Sequence, residues 1–151
     1  MRVCDLMATE VITLEVEDTL DLADDLMRLG RIRHMPIVDR EGRLVGLVSQ
    51  RDLFRAAISS VLRFRAQAER EWLAGISVRS VMTTNVFSVT PDTSVRSAVE
   101  LMLAKRIGCL PIVENGRVIG LLSEQDCLQY LDRLLTIAEA KAALPEHADA
   151  G

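Results

Sequence analysis

The strongest constraint on this chain is that it is written twice. Residues 7–38 align with 82–113 at an offset of 75, and after a one-residue deletion opposite Glu41 residues 42–52 align with 116–126. Identical pairs include Met7/Met82, Thr9/Thr84, Val11/Val86, Met27/Met102, Arg31/Arg106, Pro36/Pro111, Gly42/Gly116, Gly46/Gly120, Ser49/Ser123 and Asp52/Asp126. They cluster at turns, strand cores and one Ser-x-x-Asp, a distribution that a duplication explains and chance does not. Two copies are too few for a solenoid, so the chain must close its core from two similar halves.

Each half reads in the same order. The β-branched or apolar runs at residues 11–14 and 86–89 predict short strands. A helix follows each, with Thr19 and Ser94 as N-cap candidates and apolar residues recurring at helical spacing behind them. Gly30 and its basic neighbours mark the end of the first of these helices. Met35-Pro36-Ile37-Val38 and Leu110-Pro111-Ile112-Val113 then open apolar hairpins that close at residues 44–48 and 118–122, and both should be buried. Ser49 and Ser123 start a second helix in each half. Residues 53–73 contain no Gly or Pro and predict one long helix between the halves, on which Trp72 serves either intrachain packing or a dimer contact. A further helix is expected over 128–143, followed by a fraying tail over 144–151 that contains Pro145.

Composition removes several classes of function. At 151 residues with 49% apolar and 26% charged side chains, the chain has the balance of a globular protein. A net charge of −4 gives no positive field for phosphate backbones or anionic lipid, which disfavours nucleic acid and membrane surfaces as partners. No apolar run approaches the roughly 20 residues of a spanning helix, and the first ten residues carry acids in place of a leader's apolar stretch. A cytoplasmic protein is expected. Cys4, Cys109 and Cys127 are odd in number without a CxxC, and the two histidines, His34 and His147, are 113 positions apart. No disulfide framework, metal site or catalytic cofactor is indicated. Nucleophile elbow, P-loop and dinucleotide fingerprints are missing from the sequence, so the parts of a catalyst are not assembled.

The repeated Ser49-x-x-Asp52 and Ser123-x-x-Asp126 remain. A helix start behind a strand offers free backbone N–H groups to a polar or anionic ligand, and a carboxylate there can accept hydrogen bonds from a vicinal diol. The same residues also make an ordinary capping box, worth about 1 kcal/mol. The two readings stay open on spacing alone.

The β-α-β-β-α order, found twice with Gly-apolar-apolar-Ser-x-x-Asp at the last strand-to-helix turn, resembles the CBS (cystathionine β-synthase) domain family over about residues 3–58 and 78–134. The resemblance implies an α/β fold of two tandem CBS domains packed with pseudo-two-fold symmetry. The first would occupy residues 1–60, with its helix continuing to about 74, and the second 75–140, ahead of a flexible tail over 141–151. It also implies a homodimer and clefts for an adenosine compound, in which the Asp holds the ribose. The matching residues are Thr9, Glu10, Val11, Met35, Pro36, Ser49 and Asp52 in the first site, with Ile12 beside them. In the second they are Thr84, Asn85, Val86, Cys109, Leu110, Pro111, Ser123 and Asp126, with Phe87 beside them. Arg33, His34 and Arg51 add positive charge to the first site only, where the second copy carries Gly108, Cys109 and Gln125. A phosphorylated nucleotide such as AMP, ADP or ATP is therefore expected in the first site, and a neutral or weakly charged adenosine compound, or nothing, in the second. The alternative for the three basic residues is solvated surface. The expected function is non-catalytic: a stand-alone sensor that signals to an effector protein in trans. Alternatives are a dimerisation adaptor with empty pockets, a sensor for S-adenosylmethionine or NAD, and a hydrolase using Asp52 or Glu10. Two isolated carboxylates would leave the transition-state charge of the last unsupported.

Overall fold

The computed structural model describes residues 1–61, 71 and 73–143. The expectations about residues 62–70 of the long helix, about Trp72 and about the tail over 144–151 fall outside these residues. The first copy runs β1 (Leu14–Glu15), α1 (Leu20–Gly30), β2 (His34–Val38), β3 (Leu44–Ser49) and α2 (Gln50–Val61). The second runs α3 (Val95–Lys105), β4 (Cys109–Glu114), β5 (Arg117–Ser123) and α4 (Glu124–Ala142). In each, a β-hairpin carries the conserved-in-both Pro and Gly, and a parallel partner lies beside it. That partner is β1 against β2 in the first copy, whereas in the second Val89 alone bridges to Ile112.

Local chemistry accounts for these elements. Gly30 is the last residue of α1, and Arg31 takes the left-handed conformation behind it at φ 51°, as Arg106 does behind α3 at φ 53°. Their neighbours Ile32 and Ile107 donate back to Met27 and Met102 at 3.0 Å, closing both helix ends in the same way and turning the chain into β2 and β4. The first hairpin is held by the Asp39 carboxylate, which accepts from the backbone of Glu41 and Arg43. The second, one residue shorter, turns on Asn115 and Gly116, both with positive φ, the pairing that a two-residue hairpin requires. Ser94 caps α3 by accepting from Ser97 N–H, but Thr19 makes no such bond to α1 and instead donates its hydroxyl to Asp21.

The strands expected at residues 11–14 and 86–89 are shorter than their apolar patterns suggest, because most of each segment leaves its sheet to reach the other copy. Ala8 and Leu121 exchange both backbone hydrogen bonds, at 2.9 and 3.0 Å. Thr83 and Leu47 do the same at 2.9 Å each. Residues 9–13 and 84–88 thus span from one sheet to the other.

Further out, the exchange becomes a mutual insertion. Val3 is fully buried in the core of the second copy, with Ala98, Met102, Leu110, Ile112 and Leu122. Val78 is fully buried in the core of the first, with Leu20, Met27, Met35, Ile37 and Val48. Val3 N–H donates to Thr93 O at 2.8 Å and Val78 N–H to Asp18 O at 2.7 Å, and a shift of 75 positions converts one contact into the other. Reciprocal contacts of this kind are what a pseudo-two-fold arrangement produces. Burial of a valine side chain contributes roughly 1.5–3 kcal/mol, so each arm stabilises the core it enters.

Two glycines make the close crossing possible. A Cβ at Gly46 would stand 2.6 Å from the Met82 sulfur and 3.3 Å from Thr83 O. At Gly120 it would collide with the Met7 sulfur and lie 3.1 Å from Ala8 O. Because the backbone as well as the methionine is in the way, Gly120→Ala is expected to destabilise the protein by about 1–3 kcal/mol. Urea denaturation measures this, and an unchanged midpoint would show that the crossing tolerates a side chain there.

Candidate functional site

The parallel pairing of Leu14 with Ile37 directs residues 9–13 toward the His34 end of β2. His34 lies opposite Ser49, and α2 begins at the next residue, so the crossing segment, the start of β2 and the start of α2 meet at one end of the first copy. In the second copy Val89 directs residues 84–88 toward Cys109, which lies opposite Ser123 at the start of α4. Gln50 N–H donates to Arg33 O at 2.8 Å and Glu124 N–H to Gly108 O at 3.0 Å, tying each helix start to the entry of its strand.

Both Ser-x-x-Asp sequences form capping boxes. In the first, Asp52 Oδ2 accepts from Ser49 N–H and Ser49 Oγ, each at 2.7 Å, while Asp52 N–H donates to Ser49 Oγ at 3.3 Å. In the second, the corresponding distances at Asp126 and Ser123 are 2.7, 2.6 and 3.4 Å. Among the described residues, Oδ1 of neither aspartate accepts a hydrogen bond, and both side chains are half-buried. Each carboxylate is therefore oriented by its helix start through Oδ2, and its Oδ1 has no hydrogen-bond partner among the described residues. Capping and ligand binding are compatible uses of the same group.

The remaining site candidates divide by exposure. Thr9, Glu10, Thr84 and Asn85 are exposed and Val11 and Val86 half-buried on the crossing segments. Arg33 and Arg51 are exposed. Met35, Pro36, Leu110 and Pro111 are buried, so the strands present core at those positions. Cys109 is also buried, and that burial, with the nearby Glu124 carboxylate, pushes its thiol up to about 12, which leaves it neutral.

His34 occupies a position that sequence reasoning did not supply. Its imidazole reaches across to the second copy: a Cβ at Gly108 would lie 3.2 Å from His34 Cε1, 3.4 Å from His34 Nε2 and 3.4 Å from Glu124 Oε2. Burial lowers the His34 pKa, Glu124 and Asp52 oppose that shift, and Arg33 and Arg51 reinforce it. Glu124 and Gly108 were not among the expected ligands. The alignment nonetheless marks them, since Glu124 stands where the first copy has Gln50 and Gly108 where it has Arg33.

Among the described residues no helix is long and apolar enough to cross a membrane, and no cluster of three or more His, Cys, Asp or Glu could hold a metal ion.

With this geometry in view, the comparisons with known proteins agree on the class. The CBS domain family matches at residues 3–59 and 78–133. The chain belongs to the CBS domain family, as a tandem pair. A CBS domain-containing protein of Dictyostelium discoideum is 31% identical over 131 residues, covering 86% of this chain and 90% of the relative. An inosine-5'-monophosphate dehydrogenase of Methanocaldococcus jannaschii is 32% identical over 83% of this chain but only 22% of its own length, so the match omits most of that enzyme. Among solved structures, a Vibrio cholerae protein assigned to acetoin utilization (AcuB) has a TM-score of 0.76 at 34% identity, covering 96% of this chain and 98% of that one. CBSX2, solved in complex with AMP, has a TM-score of 0.72 at 25% identity, covering 89% and 98%.

The His34 environment has a consequence for stability. A pKa below the unfolded value of about 6.5 means the folded protein binds fewer protons than the unfolded chain in the window beneath 6.5. This group's contribution is thus complete above pH 6.5 and is lost as the pH falls toward the folded pKa. His34→Gln is expected to remove that loss, so that the variant gains on the wild type in urea midpoints between pH 7.5 and pH 5. A constant difference across this range would contradict the assigned environment.

Proposed function

We propose that this tandem CBS pair is a non-catalytic cytoplasmic sensor that binds adenosine nucleotides in clefts between its two copies and signals to a partner protein in trans. The carrying observation is the convergence, at one end of the first copy, of an oriented Asp52 whose Oδ1 has no partner among the described residues, the exposed crossing residues Thr9 and Glu10, and Arg33 and Arg51. A diol and a phosphate are the two features that such a set distinguishes. The AMP bound by the related CBSX2 supports an adenosine ligand. The match to a dehydrogenase through its CBS part alone supports a regulatory role over a catalytic one. The second cleft keeps Asp126, Thr84 and Asn85 but not the equivalents of Arg33 and Arg51, and on this reading takes a less charged adenosine compound.

Calorimetry with AMP, ADP, ATP, NAD, S-adenosylmethionine and adenosine tests the assignment. Asp52→Ala is expected to weaken the phosphorylated nucleotides by about tenfold or more, as loss of a hydrogen-bonded charged acceptor costs about 1.5–3 kcal/mol. Arg33→Glu should weaken ATP far more than adenosine. No binding or thermal shift with any of these compounds would instead favour an adaptor with empty pockets.

A homodimer accompanies this reading. Helix α4 has no buried residue, yet Leu128, Leu131 and Leu135 lie at successive turns and are 64, 48 and 53% exposed. Phe54 and Ile58 on α2 are each 61% exposed. Apolar faces of this extent mark interaction surfaces. The self-complementary occupant is a second copy of the chain. Light scattering is expected to give a dimer that the double variant Leu131→Glu, Leu135→Glu converts to monomer, and a monomeric wild type would refute it.

A further inference from the structure

His34 stands between two clefts as well as inside one. Its ring belongs to β2 of the first copy, opposite Ser49, but packs against Gly108 at the entry to β4, where the absence of a side chain lets Glu124 approach the same point. Glu124 is the first residue of α4 and lies two positions before Asp126, the aspartate of the second cleft. The charged and titratable groups that face the imidazole come from every element around it. Arg33 precedes β2, Arg51 and Asp52 lie on α2, and Glu124 lies on α4. Cys109 on β4 is a neutral thiol.

Two cations oppose protonation of the ring and two carboxylates favour it. Burial is the largest influence holding the ring neutral; an anion seated on Arg33 and Arg51 would neutralise the opposing cations and add its own charge to those of Asp52 and Glu124 against that burial. We propose that His34 is a titratable link between the clefts: a phosphorylated ligand in the first cleft converts it to imidazolium, which holds Glu124 and so biases the start of α4 beside the second cleft. The link rests on the nucleotide reading of the first cleft. Thermodynamic reciprocity requires that protons and ligand then strengthen each other's binding, and that occupancy of either cleft is felt at the other.

The test uses the His147→Gln protein, in which His34 is the sole imidazole. NMR titration of the ligand-free protein tests the contact between copies: Glu124→Gln is expected to lower the His34 pKa further, and an unchanged titration overturns the link. Addition of ATP is expected to raise the His34 pKa. Calorimetry should then show ATP affinity about three- to tenfold tighter at pH 5.5 than at pH 8.0, relative to His34→Gln, which carries the ligand's own phosphate titration; a tenfold ratio corresponds to a rise of one pKa unit. ATP binding with an unmoved His34 titration overturns the link and leaves the nucleotide reading standing. Failure of every nucleotide to bind in calorimetry overturns that reading and the link with it.

Discussion

Everything in this molecule depends on an exchange. Val3 completes the core of the second copy and Val78 that of the first, so neither half holds a closed interior of its own. A half expelled from the pair would leave a fully buried valine site open to water, and it would also lose the backbone pairs at Ala8 and Thr83. The outward salt bridges that follow the same pattern, Arg2 to Asp92 and Arg79 to Glu17, are exposed and contribute little beside this. Apolar insertion and the paired backbone, more than surface charge, fix how the halves meet.

That constraint also sets the path of the segments that line the proposed clefts. Residues 9–13 and 84–88 are tethered at one end to each sheet, so their path is set by the separation and angle of the two copies. A ligand gripping such a segment and a helix start together would have a grip on the angle itself. Preference for one arrangement is what any switch of this kind requires, and the tethering supplies the mechanical connection.

The duplication has diverged beside the two helix starts and stayed constant where the segments cross from one copy to the other. Arg33, His34 and Gln50 have become Gly108, Cys109 and Glu124. Gly30, packed on Ile12 in the first copy, is replaced by Lys105, whose ammonium sits 5.0 Å from the centre of the Phe87 ring. Met7, Met82, Gly46 and Gly120, which make the crossing itself, are the same in both. Identity between copies thus marks the joint and the capping boxes, and difference marks the charge placed around them.

Much of this was legible in the chain. The repeat, the αβ order, the hairpins and the paired capping boxes follow from local pattern, because turn residues, apolar period and caps act within a few positions of themselves. The fold class and the orientation of Asp52 and Asp126 belong to that part. The shortened first strands, the passage of Val3 and Val78 into opposite cores, and the meeting of His34 with Glu124 did not follow. Those contacts join distant residues, 60 positions apart for Asp18 and Val78 and 90 for Val3 with Thr93 and for His34 with Glu124, and alternating apolar residues say only that a side chain is to be buried, not in which of two equivalent cores. The sequence by itself determined the two halves and their caps. Only the tertiary structure decided which half each arm completes, since two near-identical interiors offer the same burial energy and chain geometry alone selects between them.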